Sequence, residues 1–169
     1  MPKYVVCLLC ILFSFVSYAA ENPLTNLGTS GVWTAYVYQG ADGKVCYMAS
    51  EPEKSVGKYK KRDDVFLMVT HRPMNNSYDV VSVLAGYTYK KGSTPTLTVD
   101  KKKAVSLVSS EDGAWTKDSK TDQQLITQMK AGSTAVLRGS SKRGTATTDT
   151  FSLKGFSKAY REISEACGK

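Results

Sequence analysis

Three sets of residues in this 169-residue chain are of types that can do chemistry. The first is His71, the only histidine, in "VTHRP". A Ser-His-Asp relay needs an imidazole beside a nucleophile, yet the chain has no G-x-S-x-G elbow and no zinc-type H-E-x-x-H. A lone histidine at a predicted strand end reads as a partly exposed structural residue. The second set is cysteine: Cys7, Cys10, Cys46 and Cys167. Zinc centres usually take several His or Cys ligands, so one histidine and these thiols predict no metal site. The third set is basic, 23 Lys and Arg against 15 acids, for a formal charge of +8. None of it has Walker spacing, since "GKYKK" lacks the following Ser or Thr. In "RDD", Asp63 and Asp64 would point to opposite faces of a strand, which marks a loop-to-strand boundary and not a paired acid and base. The expectation is no catalytic residues, no cofactor and no enzyme.

The cysteines divide by position. The chain opens "MPKYVVCLLCILFSFVSYAAENPL". Lys3 gives a short positive start, an apolar run follows to about Val16, and Ser17-Tyr18-Ala19 puts small residues at −3 and −1. This is the layout of a secretory signal peptide over 1–19. A membrane anchor is the competing reading, though the run is short for about 30 Å of hydrocarbon. Lipoprotein processing at Cys10 is disfavoured because Leu9 precedes it. Cleavage would remove Cys7 and Cys10 with Lys3, leaving +7 of the +8. The remaining pair, Cys46 and Cys167, in an exported chain predicts a disulfide; two free buried thiols are the alternative.

The basic excess falls in four clusters. These are "KSVGKYKKR", "YKKG", "DKKKA" and "SSKRG", each beside Gly, Ser or Asp and therefore in loops. Lysine-rich turns can be no more than a solvated surface that discourages strand-edge pairing. The sharper reading is contact with an anionic partner, and Lys58, Tyr59, Lys60, Lys61 and Arg62 are the candidate basic contact surface. Nucleic acid is not expected as a partner, for no module signature appears.

Elements must position these groups. "GVWTAYVY", "ADGK" and "KVCYMAS" predict a hairpin with Trp33, Ala35 and Val37 on one face. "DVFLMVTHRP" reads as a strand buried on both faces and ended by Pro73. "YDVVSVLAGY", "TPTLTVD", "KAVSLVSS", "STAVLRGS" and "TATTDTFSLKG" continue the series, so the class is mainly β, an antiparallel β-sandwich or barrel-like sheet. Most of the tyrosines read as cross-strand partners. A short helix is predicted near 121–131, with Thr121 and Gln124 as a capping box and Gly132 at its end. A second runs near 156–167, its stripe Phe156, Ala159, Tyr160, Ile163, Ala166 and Cys167 facing the sheet. Residues 20–30 are expected as a flexible leading segment, and 31–169 as one β-rich domain, about 150 residues being enough to bury a core.

In that order, the Trp33 hairpin through Cys46, "VLAGYTYKKG", "AWTKDSKTDQQLITQMKAGS" and the closing "SSKRGTATTDTFSLKGFSKAYREISEAC" resemble the invasion associated locus B family of alphaproteobacterial exported proteins, from about Gly31 to Cys167. The resemblance implies a small β-rich periplasmic or surface-associated protein, with cysteines at both disulfide positions and no catalytic residues to carry over. The family name describes a host-cell invasion phenotype and not an activity. The expected function is therefore a non-enzymatic envelope-associated protein acting by contact. It would sit in the periplasm, at the outer membrane or outside, and contact an envelope or host-surface component. It would carry no membrane span once processed. A periplasmic ligand-binding or inhibitor module is the alternative, and a hydrolase built on His71 a third.

Overall fold

A computed structural model describes residues 24–169; the signal peptide expected over 1–19, with Cys7 and Cys10, lies outside them. Twelve strands form two antiparallel sheets. In chain order they are β1 (Leu24–Ser30), β2 (Trp33–Gly40), β3 (Gly43–Ser50), β4 (Lys54–Gly57), β5 (Phe66–Arg72), β6 (Ser77–Leu84), β7 (Thr96–Val99), β8 (Val105–Ser106), β9 (Val108–Ser110), β10 (Gly113–Trp115), β11 (Thr134–Ser140) and β12 (Ala146–Ser152). Helix α1 spans Ser119–Ala131 and α2 spans Phe156–Ala166. The larger sheet runs β1-β2-β3-β5-β6-β10-β9 and the smaller β4-β12-β11-β7-β8. This is a β-sandwich, with no closed barrel.

Alternation builds the core. Trp33, Ala35, Cys46, Met48, Leu67, Val69, Val81 and Val83 from the larger sheet meet Leu97, Val99, Ala135, Leu137 and Phe151 from the smaller, all buried. Trp33 joins the layers: its indole N–H donates to the Ser152 carbonyl at 3.0 Å, and its ring meets Phe156 edge-on at 5.0 Å. Helix α2 lies on the inner side with Ala159 and Ile163 buried, and Cys167 follows it to bond Cys46 across 121 residues.

Several local expectations change. Within the 20–30 stretch expected to be flexible, the described residues Leu24–Ser30 form a strand paired with β2. Its end is clamped where Gly31 and Gly155 meet backbone to backbone: a Cβ on Gly155 would lie 1.8 Å from the Ser30 carbonyl oxygen, and both glycines have positive φ. Helix α1 starts before the predicted capping box. Asp118 is its N-cap and accepts from the Thr121 N–H at 2.8 Å, so Thr121 and Gln124 lie within the helix. "KAVSLVSS" is two strands in two sheets, β8 and β9, with Leu107 buried at the crossing. Strand β5 is not buried on both faces: Leu67, Val69 and His71 point inward, while Phe66 and Met68 are half-exposed on the outer side.

Candidate functional site

The predicted basic surface forms one wall of a cleft at one end of the sandwich. After β4 the chain turns into a loop, 58–64, that packs on the 85–88 segment. Asp63 N–H donates to the Gly86 carbonyl at 3.1 Å, and a Cβ on Gly86, where φ is +65°, would sit 2.1 Å from the Asp63 carbonyl oxygen. The opposite wall is the tight turn between β11 and β12. There Lys142 N–H donates to the Thr88 carbonyl at 2.7 Å, and Gly144 N–H to that of Ser141 at 2.7 Å. Between the walls lies a cleft of about 680 Å³ lined by Lys58, Lys60, Lys61, Lys142 and Arg143, with Tyr59 and Tyr87 among its rings and Asp63 its only lining acid. A neighbouring hollow of about 570 Å³ shares Lys58, Arg143 and Thr145.

The fold thus unites clusters that the sequence separates. Lys90 joins the same end, because its N–H donates to the Ser140 carbonyl at 2.9 Å. The Lys101–Lys103 cluster lies elsewhere. Asp100 bonds the Thr134 end of β11, roughly 20 Å along that strand from the cleft.

Arg62 does not belong with its neighbours. Its guanidinium turns inward and makes a fork to Asp149 at 2.7 and 2.8 Å, while its Nε donates to the Ala85 carbonyl at 2.7 Å. The side chains are 5% and 0% exposed. Burial alone would lower the Arg62 pKa, but Asp149 outweighs it and the net shift is upward. The planar group also lies over Tyr87 at 4.8 Å and Tyr59 at 5.5 Å. Arg62 lines the cleft from beneath as a strut, so the cations left free on its walls are Lys58, Lys60, Lys61, Lys142 and Arg143. The overlooked signal is Asp149. In "TATTDTF" it shares the inward register of Thr147 and Phe151, and a buried carboxylate needs a cation.

His71 brings the second constellation. It is fully buried, not partly exposed. Its Nε2 lies 3.3 Å from the Ser164 hydroxyl and its Nδ1 4.0 Å from the Asp79 carboxylate, so the three residue types of a hydrolase relay do meet. Their bonding runs the wrong way. Nδ1 accepts the Asp79 backbone N–H at 3.0 Å, so the ring proton sits on Nε2 and points to Ser164. An imidazole in that tautomer cannot take the serine proton. Burial lowers its pKa to about 4 despite the pull of Asp79, which keeps it neutral. Asp79 is engaged by the Tyr160 hydroxyl at 2.6 Å and by the Lys169 ammonium; burial opposes its charge, but these two partners hold its pKa below the usual value. The cluster fastens the end of α2 to β5 and β6. Ser164 was findable, eight residues beyond Phe156 on the same helix face.

Among the described residues no group of three or more His, Cys, Asp and Glu is placed to hold a metal ion. None of their helices is long and apolar enough to cross a membrane. A family model described as "Invasion associated locus B (IalB) protein" matches residues 33–164. The chain belongs to the invasion associated locus B family. No curated protein and no solved structure matches it. For this family member the match begins at Trp33, which joins the two sheets, and ends at Ser164, which touches His71; it spans both cleft walls. The Cys46–Cys167 disulfide fits an extracytoplasmic location.

Proposed function

We propose that this invasion associated locus B protein is a non-enzymatic contact module, exported to the periplasm or the cell surface, that holds an anionic envelope or host-surface component in its basic cleft. One observation carries the reading: two loops far apart in sequence place Lys58, Lys60, Lys61, Lys142 and Arg143 around one open cleft with a single lining acid. Like charges gathered without partners repel one another and stabilise nothing by themselves, so such a cluster implies a counter-charge supplied from outside. Tyr59 and Tyr87 add flat apolar surface beside the cations, which suits the rings of a charged glycan. The cleft is open and rimmed by cations, unlike the enclosed pocket that a periplasmic small-ligand carrier needs. In a bacterium that enters host cells, the same contact would contribute to entry.

The test is retention of the processed, oxidised protein on lipopolysaccharide and on a sulfated glycan across a salt series. Wild type should elute earlier as salt rises. The Lys58→Ala, Lys60→Ala, Lys61→Ala variant should bind about tenfold more weakly at low salt, with a shallower salt dependence. Equal retention of variant and wild type would remove the cleft from the proposal.

A further inference from the structure

The two faces turned outward by the sandwich differ in kind. On the smaller sheet the register sends Thr96, Thr98, Arg138, Thr148, Thr150 and Lys54 to the outside together with Val136 and the exposed Val56, a mostly polar surface. On the larger sheet the outward positions of adjacent strands are Tyr36, Tyr47, Thr70 and Val80 in one row, and Thr34, Ala49, Met68, Ser82, Trp115 and Val108 in the next. Tyr38 and Val45 extend it at one end, Phe66 and Leu84 at the other. Arg72, at one end of β5, is the one charged outward position among the described residues of the seven strands. Helix α2 packs on the inner side with Phe156 against Trp33, and α1 meets the edge of β6, where Asp122 accepts the Val81 N–H at 2.8 Å. On the outward face Tyr36 and Tyr47 stack at 5.0 Å, and Tyr38 (41%), Trp115 (39%) and Val108 (48%) stand in solvent.

We propose that this face is where a second copy of the chain docks. Area and charge both point to that occupant. Six strand spacings of about 4.8 Å and three intervals of about 6.8 Å between the four rows give roughly 30 by 20 Å, or at most about 600 Å² per copy. That is the upper end of what a monomer normally leaves exposed. Two such faces bury at most about 1,200 Å², the lower limit of a specific interface. On a chain of charge +8 any basic face repels its copy, whereas a face with one cation, at its edge, does so least. The rim also sets an orientation. Exposed Glu51 and Glu53 flank the Phe66 end and exposed Arg72 the other, so a two-fold axis lying in the face and across the strands brings acid to base. The basic clefts remain free, and a dimer presents two of them, which raises avidity for a polymer without any new contact.

Sedimentation of the processed, oxidised protein from about 1 µM to 1 mM tests the proposal, dimerisation being expected within that range for an interface this small. Salt should strengthen association by screening the net charge. Tyr38→Lys with Trp115→Lys, both at solvent-exposed sites, should give a monomer of unchanged melting temperature, while the Lys58, Lys60 and Lys61 alanine variant still dimerises. A readout needing no variant is tyrosine nitration, which should slow at Tyr36 and Tyr47 as concentration rises. A wild-type monomer throughout, or a dimer indifferent to the paired lysines, overturns the proposal. So does a monomer that uses this face to bind phosphatidylcholine vesicles.

Discussion

Arg62 and Lys61 are neighbours of the same charge in one loop, yet one side chain is buried and paired and the other exposed, and substitution should separate them sharply. Arg62→Ala leaves the Asp149 carboxylate, fully buried, without its two charge-assisted bonds at 2.7 and 2.8 Å. It also orphans the Ala85 carbonyl and removes the planar group packed against Tyr87. Removing one partner of a buried pair typically costs about 3–5 kcal/mol, because the remaining charge keeps its desolvation penalty. For a domain of this size that lowers the melting temperature by on the order of 10 °C. Lys61→Ala, at an exposed site, should stay within about 0.5 kcal/mol. The assay is urea unfolding of the oxidised protein for Arg62→Ala, Asp149→Ala and the double variant. The cycle should show strong coupling, the double variant being less unstable than the two singles added together. If Arg62→Ala cost under about 1 kcal/mol, the pair would be a surface contact and Arg62 would return to the contact surface.

Acid should weaken the protein through His71. Its pKa is about 4 folded against 6.5 unfolded, so the unfolded chain binds the extra proton, and stability present above pH 6.5 is lost as pH falls towards 4, by at most about 3 kcal/mol. Unfolding curves of wild type and His71→Gln between pH 7 and 4.5 check this: the variant should lose the slope. The Asp79 contribution has the same sign in a lower window: its folded pKa is held below 3.8, so its stability is present above that pH and is lost as pH falls further. Reduction, or Cys46→Ala with Cys167→Ala, should cost up to about 4–5 kcal/mol for a 121-residue closure, and intact mass before and after reductant should show no free thiol in the oxidised protein. Gly86→Ala should lift the 58–64 loop off its support, weakening polyanion retention and stability together, because the new Cβ meets backbone at 2.1 Å.

The parts of this fold that a sequence shows are those governed by period and by covalent logic. Trp33 and Ala35 are both buried as period two requires, and Phe156, Ala159 and Ile163 are buried as a helical stripe requires. Cys46 and Cys167 bond across 121 residues, the pairing that the sequence reading expects. The misplaced start of α1 shows the limit: Asp118 and Thr121 are both plausible caps, and only the path of the chain after Trp115 selects Asp118. Sites are harder, because a contact surface depends on pairs that no local pattern encodes. Lys142 meets Lys58 only because β12 pairs with β4, and Arg62 leaves their company only because Asp149 faces inward. Residue type misleads in the same way at His71. Histidine, serine and aspartate converge there, but a backbone N–H holds Nδ1 and fixes the proton on the wrong nitrogen.

The outer sheet face carries the same lesson further. "FLMV" reads as a strand buried twice over because its residues are apolar on both sides, and that reading is half right. Leu67 and Val69 face the core, whereas Phe66 and Met68 are half-exposed on the outer face that the proposed second copy would cover. A strand can be patterned for burial on both faces when the second layer belongs to another molecule. An apparent error in predicting burial from one chain is then evidence about assembly, and Tyr36, Tyr47 and Trp115 around it are the residues whose substitution should register there first.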